Sequence, residues 1–203
     1  GAPLCSIARG RGDIEEAEEI MGNSFMLLII FGIVLTVIGL IFKEDLLWLF
    51  GASEHTIGYA NDYMTIYLLG TVFVLIGLGM NSFINSQGFA KIGMMTVLLG
   101  AIVNIILDPI LIFGINGYLK LGVSGAAIAT IIGQISACLL AILLFRKKSF
   151  LKLSLTTFKP NLQIIKNIYS IAIPSGVMTA LPSILVTLLN GLLTTVNQSA
   201  IAF

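Results

Sequence analysis

Charge is what this sequence has least of: only 10% of its 203 residues are Asp, Glu, Lys or Arg, against about 25% in a soluble domain. The surface that would keep such a chain in water is missing. It has a single histidine, His55, and two cysteines, Cys5 and Cys138, too few for a zinc cluster or a disulfide framework. A formal net charge of +1 gives no electrostatic footprint for nucleic acid. No P-loop, no GxSxG and no dinucleotide-binding fingerprint occurs, which argues against soluble enzyme chemistry.

What is there is apolar. Hydrophobic residues make up 57% of the chain and the mean hydropathy is +1.03, the composition of an integral membrane protein. A bilayer core of about 30 Å needs about 20 helical residues to cross it, and the uncharged runs have that length. They are Ile20 to Phe42, Tyr63 to Ala90, Ile92 to Leu119 broken only by Asp108, Leu121 to Phe145, and Asn167 to the end. None alternates with a period of two, so an all-α, multi-pass helix bundle is expected rather than a membrane barrel. Gly1 opens in an apolar stretch and Phe203 closes in another, and the chain reads as a piece of something longer.

Positive residues are retained on the cytoplasmic side of a membrane. Arg9 and Arg11, Lys91, and Arg146, Lys147, Lys148, Lys152, Lys159 and Lys166 fall in alternate loops, nine of the 11 Lys and Arg. Lys43 and Lys120 fall in the others, so those loops are expected outside. Asp13 with Glu16 has capping-box spacing at the start of the first complete span, and the acidic run Glu15, Glu16, Glu18 and Glu19 suits a solvated helix start. Leu46 to Phe50, with Trp48, fits an amphipathic turn at the outer interface. Residues 146–166 are the only long polar connection and carry Pro160 near their end. They divide the chain into a first membrane unit, 1–145, a cytoplasmic linker, 146–166, and the start of a second unit, 167–203.

Asp108 is the one acidic or basic side chain in the middle of a span, where insertion costs about 2.5–3.5 kcal/mol. Asn104, one turn earlier, projects from the same face. A carboxylate beside a carboxamide oxygen is ligation for a hard cation such as Na+ or for a proton. Pro109 withholds an N–H from the turn before it. At 1.5 Å per residue Asp108 lies about 16 Å from Leu119, and Thr130 about 13 Å from Leu121, so the two share a depth and Thr130 is expected to reach Asp108 or a shared water. A buried Asp fixed by hydrogen bonds for packing alone is the competing reading. Gly125, Ala129 and Gly133 form a small-residue stripe for close helix contact. Pro174 and Pro182 are expected to kink the last span. Tyr63 and Tyr67, one turn apart, read first as interface anchors and second as weak candidate ligands.

Several stretches together resemble the multidrug and toxic compound extrusion (MATE) family of transporters. They are Gly12-Asp13 with Ala17, Leu49-Phe50-Gly51-Ala52-Ser53, Gln87-Gly88 with Lys91, Asn104-Ile105-Ile106-Leu107-Asp108-Pro109, and Gly122-Val123 followed by Gly125-Ala126-Ala127 and Ala129-Thr130. The Asn-x3-Asp-Pro block followed by Gly-Ala-Ala-x-Ala-Thr is the specific part, and the pieces keep the family's order across nearly the whole chain.

The resemblance implies a twelve-helix antiporter of two six-helix lobes in the bacterial inner membrane, expelling amphipathic, often cationic organic compounds against inflow of H+ or Na+, with no cofactor. This chain would supply the end of helix two, helices three to seven and the start of helix eight, and its partner would be the remainder of the same transporter. Asn104, Asp108 and Thr130 match the family's first-lobe cation site, with Asp108 and Asn104 as candidate Na+ ligands and Tyr63 or Tyr67 as its tyrosine. An aspartate the family places on helix one has no counterpart among these residues, and no Asp or Glu follows Asp108. That pattern favours coupling through the first lobe. The alternatives are a related flippase of lipid-linked saccharides, which needs a cationic cavity, and a non-transporting membrane subunit.

Overall fold

A computed structural model describes residues 1–114, 120–148, 151 and 160–196. They form six helices: α1 (Ala2–Gly10), α2 (Ile14–Leu49), α3 (Ile57–Ser86), α4 (Ala90–Phe113), α5 (Val123–Lys148) and α6 (Leu162–Val196). Five of them are long and apolar enough to cross a membrane.

The helix ends are set by local chemistry. Asp13 caps α2, its Oδ1 accepting the Glu16 backbone N–H at 2.9 Å, which satisfies one of the first-turn donors. The reciprocal half of the capping box is not made. Glu16 instead pairs with Arg11 at 2.6 Å, because an ion pair on the exposed surface competes with the return to the cap. The stretch Leu46 to Phe50 is the last turn of α2 and its cap. Trp48 stands outward there.

The third span is shorter than its uncharged run suggests. It ends at Phe113 because Gly114 takes φ +78°, a backbone conformation a side chain disfavours. Leu121 and Gly122 then return, donating their N–H groups to Leu111 and Ile112 at 3.0 and 3.3 Å and satisfying carbonyls that the helix end leaves open. Asn116, in the loop before Lys120 that the Lys and Arg pattern puts outside, lies outside the described residues. Likewise α6 begins at Leu162, ahead of the uncharged run, with Asn161 Oδ1 accepting the Gln163 N–H at 3.1 Å. It continues as one helix through Pro174 and Pro182. The linker residues 149–150 and 152–159 lie outside the described set.

In the packing order α3 lies between α2 and α5, and α5 between α3 and α4, with α1 against α2 and α3 and α6 against α2. Arg9 Nη1 donates to the Gln87 carbonyl at 2.9 Å, so Arg9, Arg11 and Lys91 gather at one end of the bundle, the basic end. Lys43 donates to Thr65 Oγ1 at 2.9 Å toward the other. The buried apolar cluster sits at the basic end, where Cys5, Met21, Met80 and Phe83 meet Leu151, Ile164 and Ile168. Elsewhere apolar side chains face outward, Ile41 and Ile105 each 68% exposed. Such a surface is stable only against hydrocarbon or further protein.

Candidate functional site

Asn104 and Asp108 are one turn apart on α4 and half-buried. Asn104 Nδ2 donates to Asp108 Oδ1 at 3.3 Å, and the same nitrogen donates to Thr130 Oγ1 on α5 at 3.4 Å. The expected direct reach of Thr130 to Asp108 is therefore replaced by a bridge. The reason lies in the hydrogens: the Thr130 hydroxyl donates its single proton to the Ala126 carbonyl at 2.9 Å. Only lone pairs remain, which an acceptor-only carboxylate cannot use and an amide N–H can. The Asn104 amide turns its nitrogen toward the carboxylate.

The stripe of small residues positions this bridge. A Cβ on Gly133 would lie 2.7 Å from the Gly100 carbonyl oxygen and 3.3 Å from Asn104 Cβ, and one on Gly125 would collide with the Leu111 carbonyl. Backbone therefore meets backbone along α4 and α5, and only that approach lets the short Thr130 side chain reach across. Pro109 removes the donor that would otherwise serve the Ile105 carbonyl one turn back.

Asp108 is five residues from the end of α4 at Phe113, about 8 Å by helical rise. This is shallower than the estimate from Leu119, because the helix stops at Gly114. Thr130, seven residues into α5, lies about 10 Å from its start, so the shared depth remains.

Tyr63 and Tyr67 stack on each other with ring centroids 6.0 Å apart and planes at 13°. Neither hydrogen-bonds to Asp108, Asn104 or Thr130 among the described residues. His55 is exposed in the α2–α3 connection.

Three neutral polar residues escaped a reading that followed charge. Asn81, Thr96 and Gln134 line a cavity of about 220 Å³ that also touches Asn104 and Thr130. Thr96, two turns before Asn104, and Gln134, one turn after Thr130, share faces with the site residues, whereas Asn81 on α3 has no such offset and is placed there by packing alone.

The MatE family model matches residues 1–110, a stretch that includes Asn104 and Asp108. The multidrug export protein MepA of Staphylococcus haemolyticus (strain JCSC1435) is 32% identical over 203 residues, all of this chain and 44% of that protein. The probable multidrug resistance protein YoeA of Bacillus subtilis (strain 168) is 30% identical over 91% of this chain and 40% of its own length. The chain thus spans less than half the length of the curated relatives it matches. Solved structures give the same picture. The inward-facing conformation of a multidrug resistance MATE family transporter of the MOP superfamily superposes with a TM-score of 0.78 at 28% identity, over 86% of this chain and 39% of that one. The outward-facing conformation gives 0.77 at 28% identity, over 87% and 39%. A multi-pass membrane segment whose helices follow those of MATE transporters, and whose sequence fits the family model over more than half its length, this chain belongs to the MatE family.

Proposed function

We propose that this chain carries most of the coupling lobe of a cation-driven antiporter that exports organic, often cationic, compounds, and that Asp108 is its charge switch. The observation that carries this is the Asn104 bridge from the Asp108 carboxylate to Thr130 across α4 and α5. The Asn104 N–H group partly neutralises the carboxylate. When H+ binds Asp108, or Na+ settles between Asp108 and Thr130, the amide turns over and offers its oxygen instead. Binding thus exchanges one hydrogen-bonded arrangement of α4 and α5 for another, and a ligand shifts a conformational equilibrium only through such differential interaction.

The similar fits to inward-facing and outward-facing relatives support a lobe that moves as one body against the remainder of the transporter, with the basic end in the cytoplasm. The MepA relatives, which are multidrug export proteins, support the substrate class. A flippase for anionic lipid-linked saccharides fits less well, since the middle of each span lacks Lys and Arg; Lys43 lies in the last two turns of α2.

The test is transport by this chain joined to the remainder of its transporter, reconstituted in liposomes. A fluorescent organic cation should move against an imposed H+ or Na+ gradient and stop when the gradient is collapsed. Gradient-independent dye movement, or none, would overturn the assignment.

A further inference from the structure

A cavity of about 220 Å³ lies between α3, α4 and α5. It is too small for a drug-sized ligand, whose pockets run from about 300 to 1,000 Å³. At about 30 Å³ per molecule it holds roughly seven waters. One end touches Asn104 and Thr130, and the other reaches Thr96 and Asn81. Thr96 is eight residues nearer the basic end than Asn104 on α4, about 12 Å by helical rise.

The amides and hydroxyls of Asn81, Thr96, Asn104, Thr130 and Gln134 interrupt otherwise apolar walls. Gln134 lies along the cavity and makes no hydrogen bond among the described residues, a costly state for an amide at membrane depth unless water meets it. The basic end of the cavity is closed by a satisfied polar cluster. Asn81 Nδ2 donates to the Gly93 carbonyl and to Thr96 Oγ1, both at 2.7 Å, and Asn81 Oδ1 accepts from Asn85 Nδ2 at 2.8 Å. Asn85 is exposed at that end of α3. A file of oxygens and amides therefore leads from the neighbours of Asp108 to the surface of the basic end.

We infer that this cavity is a hydrated passage for the coupling cation, a proton or Na+, between Asp108 and the cytoplasmic face, with Gln134 along its wall and the Asn81–Thr96 pair as its gate. The inference rests on the cation-site reading above. The cation leaves through the interior of the lobe. Asn, Gln and Thr side chains do not relay protons themselves, so H+ moves along the enclosed waters, whereas Na+ moves by exchanging those waters for side-chain oxygens.

The test uses the whole transporter in proteoliposomes. Gln134→Leu removes the amide at similar size, and Ala101→Leu fills the passage from another wall. Each should slow gradient-driven dye export at least tenfold while cation affinity, measured at equilibrium, stays within twofold. Gln134→Ser, which readmits water, should export near the wild-type rate. Proton and sodium gradients imposed separately identify which cation uses the passage. In a background lacking Cys5 and Cys138, Gln134→Cys should react with a small hydrophilic thiol reagent added from the cytoplasmic side. Wild-type export by both leucine variants, or an unreactive Gln134→Cys, overturns the passage. Loss of equilibrium cation binding in Gln134→Leu also overturns it, by placing that residue in the site. Asp108→Asn run in parallel separates the two ideas. If it alone abolishes cation binding and export, the site stands without the passage; if it too behaves as wild type, the site reading is what fails.

Discussion

Asn23 and Asn161, 138 positions apart in the chain, share a hydrogen bond: the Asn23 Oδ1 accepts the Asn161 backbone N–H at 2.9 Å. Asn23 is fully buried, and its Nδ2 donates to the Glu19 carbonyl at 2.9 Å, so both ends of the amide are used. The contact fastens the first turn of α6 to α2 beside the buried Ile164 and Ile168.

Asn23→Ala should loosen that attachment. Truncation leaves a backbone donor without its partner, at a cost of about 1–3 kcal/mol. A thermal scan of the purified transporter should show a lower Tm. An unchanged Tm would mean that the contact contributes nothing to docking α6.

The close approach of Gly133 to Gly100 predicts a second effect. A methyl group at position 133 meets a backbone carbonyl at 2.7 Å, which cannot swing aside as a flexible side chain can. Gly133→Ala should cost about 1–3 kcal/mol by overpacking and move Thr130 off Asn104. Thermal stability and its increase on adding Na+ or lowering pH should both fall. Gly176→Ala, where a Cβ meets nothing within 4 Å, should leave both unchanged. Equal behaviour of the two variants would show that the α4–α5 contact does not set the site.

The placement of Lys and Arg predicts the orientation. With Cys5 and Cys138 replaced, a single cysteine at Ser53 should react with an impermeant thiol reagent from outside the cell, and one at Lys91 only from inside. Both positions are exposed. The opposite pattern would invert the membrane orientation, and with it the direction of cation flow.

The helices were legible because lipid demands long uncharged runs, and each of the five spans contains one. Their ends were not, because they depend on single residues: Gly114 halts α4 at a positive φ, and Asn161 starts α6 by accepting N–H groups. Asp108, Asn104 and Thr130 stood out because a charge in hydrocarbon is costly and i, i+4 spacing shares a face. The order of the bridge was hidden, since it turns on where the Thr130 proton goes. The polar wall formed by Asn81, Thr96 and Gln134 was hidden for another reason: neutral amides leave an uncharged run unbroken, and only the packing of α3 against α5 brings the three together.

The charge of Asp108 is the center of the account, and Asp108→Asn tests it most directly. The amide is nearly isosteric and can accept the Asn104 N–H, so the protein should fold and insert, but it offers neither a titrating proton nor a full negative charge. Asn104→Ala and Thr130→Ala each remove one neutral partner, on the order of 0.6 kcal/mol, and should weaken coupling about threefold. Gradient-driven dye export by the whole transporter in liposomes, at matched protein density, should vanish for Asp108→Asn and persist, reduced, for the other two. Wild-type, gradient-dependent export by Asp108→Asn would contradict the account and return Asp108 to a packing role.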